Sequence, residues 1–286
     1  MRTVIITGAG QGLGRAHALA FAAAGYHLVL NDLGADRLRS VAEECAFGQG
    51  AVTCVPGDIA DWDFAAALIE RAVAVHGRVD ALVNNAGLAR DRMTTNVTED
   101  EWDSVIRVNL KGHFAPLRHA SAHWKALAKA GEPVAARIVN TTSGAGLMGS
   151  VGQVSYSAAK AAVAAVTQVA AVELRRYGIT VNAIAPSART PMTEDVFADA
   201  MRAPESGFDA MAPENVSPLV VWLASEEAGF VTGRVFEVSG GSVGLADGWQ
   251  HGPATDVGRR WEPDELGPVV RGLLSRAPEP AAVYGA

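Results

Sequence analysis

Tyr156 and Lys160 stand four residues apart in an alanine-rich stretch, residues 155–176, that reads as a helix. Four positions on a helix bring two side chains onto one face. A free phenol, with a pKa of about 10, is a poor base near neutrality. An ammonium beside it favours the phenolate, which can take a proton from an alcohol or, once protonated, return it to a ketone. Ser143 follows an apolar run, residues 137–142. Its hydroxyl can donate to the same oxygen and stabilise charge developing there; Thr141 and Thr142 are substitutes on register grounds. Taken alone, a tyrosine and a lysine at this spacing are an ordinary surface pair, so their meaning depends on what the chain places near them.

The N-terminal third supplies the partner chemistry. Thr7-Gly8-Ala9-Gly10-Gln11-Gly12-Leu13-Gly14 separates an apolar run, residues 3–7, from a helical stretch, residues 13–24. Small residues there let the backbone approach a pyrophosphate, and the helix N-terminus favours its charge. Gly8, Gln11, Gly12, Leu13 and Gly14 are therefore candidate cofactor contacts. Asp32 lies eighteen residues past Gly14, at the end of the second apolar run. A carboxylate there can accept from the adenosine ribose hydroxyls of NAD and would repel the extra phosphate of NADP. Neither Gln11 nor Leu33 offers that phosphate a cation, which leaves Arg15 and Arg37 as the nearby candidates. Asp58 and Ile59 follow the third run and would border the adenine. Asn85, Ala86 and Gly87 follow the fourth and would line the middle of the cofactor. The combined reading is an NAD-dependent hydride transfer between nicotinamide and a secondary alcohol or ketone.

These residues need a scaffold that gathers strand ends. Short runs at residues 3–7, 26–31, 51–56, 81–83, 137–142, 180–184 and 234–238 alternate with helical stretches at 13–24, 37–48, 62–76, 99–130, 155–176 and 213–225. The runs are apolar throughout, so both sheet faces need cover, and the expected fold is α/β, a single doubly wound parallel sheet of about seven strands with helices on both faces. The 99–130 stretch is expected to divide near Asn109, which on its residues alone is a helix interruption. Residues 1–244 read as the NAD-binding catalytic domain. Residues 245–286, rich in glycine, proline and charge, read as an extension with one helix at 262–274, lying on the surface or capping a neighbouring subunit.

Composition excludes several classes. The chain has 286 residues, 49% of them hydrophobic, enough for a sizeable core. With 24 basic against 31 acidic residues and no basic stripe, a nucleic-acid partner is not expected. The two cysteines, Cys45 and Cys54, fit no metal motif and are expected as reduced core thiols. His119 and His123 share a helix face but lack a third ligand, so no metal site is expected. The N-terminus lacks the pattern of a signal peptide, and no run reaches the roughly 20 consecutive apolar residues of a membrane span. A cytoplasmic enzyme is the expectation.

A glycine-rich loop, Asn84-Asn85-Ala86-Gly87 and a Tyr-x-x-x-Lys pair, in that order over about residues 3–244, resemble the short-chain dehydrogenase/reductase family. The resemblance implies that Ser143, Tyr156 and Lys160 are a catalytic triad and that Lys160 also binds the nicotinamide ribose. It implies that Asn109 supports a water-linked proton relay, and that Pro186 and Thr190 meet the nicotinamide end, with Ser187 where a glycine is usual. A narrower resemblance rests on residues 29–34, Arg90-Asp91-Arg92 and residues 152–160. It points to the (3R)-hydroxyacyl-CoA dehydrogenase domain of peroxisomal multifunctional enzyme type 2 and its bacterial relatives, and so to a 3-hydroxyacyl-CoA, a steroid or a similar apolar substrate. Three alternatives stand beside it. Asp32 argues against an NADPH-dependent 3-ketoacyl-carrier reductase. Met192, Val196, Phe197, Met201, Phe208 and Met211 suggest an apolar wall, against a sugar or polyol dehydrogenase. The intact triad argues against an NAD-binding protein without turnover. The family commonly forms tetramers through helices that here span residues 112–130 and 155–176, so a homo-oligomer, tetramer or dimer, is expected.

Overall fold

Aliphatic runs without polar alternation are stable in a sheet only where helices cover both faces. The computed structural model, which describes residues 1–191, 201–246 and 248–285, shows that arrangement. Eight strands form one sheet: β1 (Thr3–Thr7), β2 (His27–Asp32), β3 (Val52–Pro56), β4 (Ala81–Asn84), β5 (Ala136–Thr141), β6 (Ile179–Ser187), β7 (Val235–Ser239) and β8 (Ser242–Leu245). Their spatial order is β3-β2-β1-β4-β5-β6-β7-β8. All neighbours are parallel except β7 and β8. The order reverses direction at β1 and β4, the switch point whose carboxyl ends open a ligand crevice in such sheets.

The two faces divide β1 residue by residue. Val4 and Ile6 pack with α1 (Gly12–Ala23), α2 (Ala35–Glu44) and α8 (Ser217–Leu223). Ile5 packs on the other face with α3 (Trp62–His76), α5 (Gly112–Lys129) and α7 (Val154–Leu174). Local signals end the helices where the chain must turn. Asp61 caps α3 by accepting from the Phe64 amide at 2.7 Å, and Gly77 closes it in the left-handed region at φ 74°. Thr98 and Glu101 form a capping box on α4 (Glu99–Ile106).

The strand and helix expectations hold to within a few residues, with instructive departures. The sheet has eight strands rather than about seven. Gly240 and Gly241 join β7 to β8 as a two-residue hairpin, with Gly240 at φ 53°, a turn that favours glycine. β8 thus runs across the boundary drawn at residue 244. A short helix, α6 (Gly144–Met148), follows β5, where none was expected. The division near Asn109 is one turn of π-helix, Arg107–Lys111, between α4 and α5; such turns recur at functional sites. In the extension, α9 (Leu266–Leu274) contributes no buried residue, yet Tyr284 returns to bridge Ser150.

One expectation needs amending. The helical stretch Val154–Tyr177 is long and apolar enough, by length and composition, to cross a bilayer, with 33% of its apolar window buried in the fold. In the structure one face of it packs against β5 and β6 and turns Lys160 inward, while Val169 and Val172 on another face are exposed.

Candidate active site

The crevice at the switch point is a cleft of about 220 Å³ lined by both sets of residues singled out from the sequence. Gly8, Gln11, Gly12, Leu13 and Asp32 line one end, and Ser143, Tyr156 and Lys160 line the other, with Asn85, Ala86, Gly87, Pro186 and Thr190 between.

The glycine loop is shaped by close contact. A Cβ on Gly14 would stand 2.0 Å from the Gly8 carbonyl oxygen, and one on Gly8, at φ +63°, would stand 2.7 Å from Ala86 Cα. Gly14 does not line the cleft; it lets α1 approach β1. Gln11, the N-cap of α1, makes no side-chain cap, so the first-turn amides are free to face an anion. Asn85 supports the loop from β4, donating through Nδ2 to the carbonyls of Thr7 (3.1 Å) and Gly8 (3.2 Å). Gly12, at φ +53°, faces Thr190, 3.4 Å from its would-be Cβ.

Asp32 ends β2 with both oxygens engaged. Oδ2 accepts from the Gly10 amide at 3.1 Å, and Oδ1 accepts from the Gly34 amide and from Arg37, each at 2.9 Å. Both arginines weighed as phosphate ligands are committed elsewhere: Arg37 to Asp32, and Arg15 to Glu44 and Glu214. The uncapped helix and the glycine cradle fit the pyrophosphate of a nicotinamide dinucleotide, and the carboxylate fits its adenosine ribose. Asp58 and Ile59 stand apart from the cleft wall. Asp58 pairs with Arg107 at 2.6 Å and accepts from the Ala60 amide, while Ile59 is buried.

At the other end the reactive groups converge. Lys160 is buried, and its Nζ donates to the Thr141 carbonyl at 2.7 Å while lying 5.6 Å from the Tyr156 ring centroid. Burial lowers the ammonium to about 7. Desolvation pushes the Tyr156 phenol up to about 12; a hydrogen bond with Ser143 works in the opposite direction, and the Asp91 charge adds to the rise. Ser143 is the N-cap of α6, its Oγ accepting from the Ala145 amide at 3.2 Å, which leaves its proton to donate. Of the two substitutes, Thr142 is excluded because its hydroxyl donates to the Lys160 carbonyl at 2.6 Å. The buried Thr141 hydroxyl has no partner, and what Thr141 offers the site is its carbonyl.

Asn109 is fully buried in the π-turn, its Nδ2 donating to the carbonyls of Leu88 (2.7 Å) and Val105 (2.9 Å). Its Oδ1 has no partner and stands 2.7 Å from where a Gly87 Cβ would be. It lies behind the cleft wall rather than on it.

Gln153 was not anticipated. It lines the cleft three residues before Tyr156, and its Nε2 donates to both oxygens of Asp91, at 3.1 and 3.0 Å. Its place just ahead of Tyr156 at the start of α7 was the available signal. Of the expected apolar wall, Met201 and Met211 are partly buried and Phe208 is exposed; Met192, Val196 and Phe197 lie outside the described residues. Among the described residues no three His, Cys, Asp or Glu side chains cluster as metal ligands, and His119 packs edge-on against Trp62.

Comparison with known proteins sets this geometry in context. The sequence pattern of the short chain dehydrogenase family matches residues 2–201. A hydroxyacyl-CoA dehydrogenase of Mycobacterium tuberculosis, ChsB1, is 41% identical, with 97% of this chain and 90% of that protein covered. The peroxisomal multifunctional enzyme type 2 of Mus musculus is 37% identical over 94% of this chain but only 34% of its own length. The higher identity to a single-unit bacterial protein shifts the narrower resemblance from the peroxisomal enzyme to its bacterial relatives. A crystal structure of a short chain dehydrogenase from Mycobacterium avium superposes with a TM-score of 0.92 at 57% identity, covering 100% of this chain and 98% of that one.

Proposed function

The chain belongs to the short-chain dehydrogenase family, and we propose that within it the chain uses NAD to interconvert a 3-hydroxyacyl-CoA, a steroid or a similar apolar secondary alcohol with its ketone. The observation that carries this reading is the convergence of Ser143, Tyr156 and Lys160 at one end of a cleft whose other end holds Asp32 and the glycine loop. NAD, when bound, supplies the hydride acceptor for oxidation and, reduced, the donor for reduction. The chain's own residues handle binding and the proton. Asp32 and the α1 N-terminus hold the adenosine and pyrophosphate. Ser143 donates to the substrate oxygen, and Tyr156 takes or returns its proton. Lys160 holds the nicotinamide ribose and, when charged, stabilises the phenolate. Asn109, with its unpartnered Oδ1 behind Gly87, supports the proton's exit through water.

The apolar side of the reading draws on Met201 and Met211 and on the hydroxyacyl-CoA dehydrogenase activity of the Mycobacterium tuberculosis relative. A panel of 3-hydroxyacyl-CoA thioesters, hydroxysteroids and sugar alcohols with NAD and with NADP, followed by absorbance of the reduced nicotinamide, tests it. Turnover confined to sugar alcohols, or equal use of NADP, would overturn it.

Assembly is part of the same proposal. Phe114, Leu117, Val166, Val169 and Leu174 line an apolar groove of about 570 Å³ between α5 and α7, where a second copy would pack about a twofold axis. Light scattering that reports a monomer at micromolar concentration would refute this.

A further inference from the structure

In the segment joining Ser143 to Tyr156, α6 packs on α7 and β6 and seats Leu147 against Ala183, Ala185 and Val235, whereas residues 149–153 are an irregular stretch between the two helices. Gly149 and Gly152 adopt left-handed backbone, at φ +80° and +77°, and glycine gives up the most conformational freedom on ordering. A Cβ on Gly152 would meet nothing within 4 Å. Beyond its own turn, in which the Gln153 amide donates to the Ser150 carbonyl, two remote pieces of chain grip this stretch. On one side the Arg92 amide donates to the Gly152 carbonyl at 2.7 Å, and Asp91 accepts from Gln153.

On the other side is the end of the chain. The Val151 amide donates to the Tyr284 carbonyl at 2.9 Å, and the Tyr284 amide donates to the Gly149 carbonyl at 3.2 Å. Around that bridge, Val283 Cγ1 lies 3.5 Å from the would-be Cβ of Gly149, and the Tyr284 ring lies 2.9 Å from that of Gly144, the residue after Ser143. The ring fits only because residue 144 lacks a side chain. Tyr284 also closes a cleft of about 190 Å³ shared with Gly144, Ser187 and Glu237. The preceding helix, α9, buries nothing, so the ordered return of the tail is concentrated at this contact.

We propose that residues 283–285 are a positioning strap. They hold the 144–153 segment so that the Ser143 hydroxyl and the Tyr156 phenol reach one substrate oxygen together. Tyr284 is a positioning residue that touches neither substrate nor cofactor. The proposal rests on Ser143 and Tyr156 being the reacting groups. Orientation is the lever: a misplacement of about 1 Å costs on the order of a hundredfold in rate.

The test compares the full chain with one ending at Ala282, with Tyr284→Phe, and with Gly144→Ala in both lengths. The shortened chain should lose about ten- to a hundredfold in turnover of the alcohol that the full chain oxidises best. Its NAD affinity by calorimetry should stay within about twofold, and its thermal midpoint should stay close to the parent's. Amide exchange at Val151 should rise. Tyr284→Phe, which keeps the ring on Gly144, should keep near-parental turnover. Gly144→Ala should slow the full chain by displacing the ring and cost much less in the shortened chain, the non-additivity expected of a shared contact. Unchanged turnover in the shortened chain, additive losses, or a turnover loss matched by losses in NAD affinity and thermal midpoint would each overturn the proposal. A full chain that oxidised none of the panel would sink the assigned reaction instead, while exchange at Val151 would still decide whether the strap holds the segment.

Discussion

Two glycine-bearing loops frame the cleft, and they are held in different ways. The loop after β1 is supported by its own neighbourhood. Gly14 presses on Gly8, Gly8 presses on Ala86, and Asn85 ties the loop's carbonyls to the end of β4. Residues 149–153, between α6 and α7, have open space at Gly152 and take their grip from Asp91, Arg92 and Tyr284. A loop that receives a constant ligand fragment can be encoded compactly. A segment that must place two reacting groups around a variable substrate here draws its constraints from far along the chain. The difference predicts that damage to the first loop appears as lost cofactor affinity, and damage to the second as lost turnover.

The largest expected effect makes that distinction sharpest. Tyr156→Phe keeps the ring and removes the proton-transfer group, so turnover should fall by about 10²- to 10⁴-fold, or roughly 3–5 kcal/mol. NAD affinity should be nearly intact. Lys160→Ala should lower both quantities if Lys160 serves the ribose and the phenol as proposed. Steady-state rates and calorimetric NAD titrations on the two variants separate these outcomes. A phenylalanine variant within threefold of the parent would remove Tyr156 from the chemistry.

A matched pair of alanine substitutions compares the loops directly. Gly14→Ala drives a Cβ into a backbone carbonyl and should cost about 1–3 kcal/mol of stability together with NAD affinity. Gly152→Ala meets no neighbour and should cost only the left-handed strain, about 1–2 kcal/mol, while leaving NAD affinity unchanged. Thermal unfolding and NAD titration of both variants would break the comparison if Gly152→Ala proved the one that lost NAD.

Cofactor choice is the next effect in size. With Asp32 lining the cleft and Arg37 already paired to it, NAD should be preferred over NADP by at least about tenfold in kcat/KM, about 1.4 kcal/mol. Measurement under matched conditions decides it, and parity would return Arg37 to the role of phosphate ligand.

The smallest effect lies in pH. Alcohol oxidation needs the deprotonated phenol, and burial raises the Tyr156 pKa. Oxidation should therefore speed up as pH rises, and ketone reduction, which needs the protonated form, should slow. Asp91 adds to the rise in that pKa, so Asp91→Asn should move the oxidation limb to lower pH. An unmoved limb with a changed KM would mean that Asp91 acts only through Gln153.

The sequence by itself determined most of the sheet and singled out the residues proposed as the reacting groups. Apolar runs without alternation demand cover on both faces, and helix periodicity places Tyr156 and Lys160 together; both are local properties. It also marked Asn109 as an interruption, though that the interruption is a π-turn with a buried, unpartnered Oδ1 depends on how α4 and α5 pack. Tertiary structure alone decided what depends on distant partners: that Thr142 is spent on the Lys160 carbonyl and Arg37 on Asp32, and that Asp58 turns to Arg107 rather than toward the cleft. It also brought Gln153 to Asp91, and Tyr284 back to a glycine 140 positions earlier in the chain. A contact across such a separation leaves no period in the sequence, because its geometry is set by the fold that carries both ends.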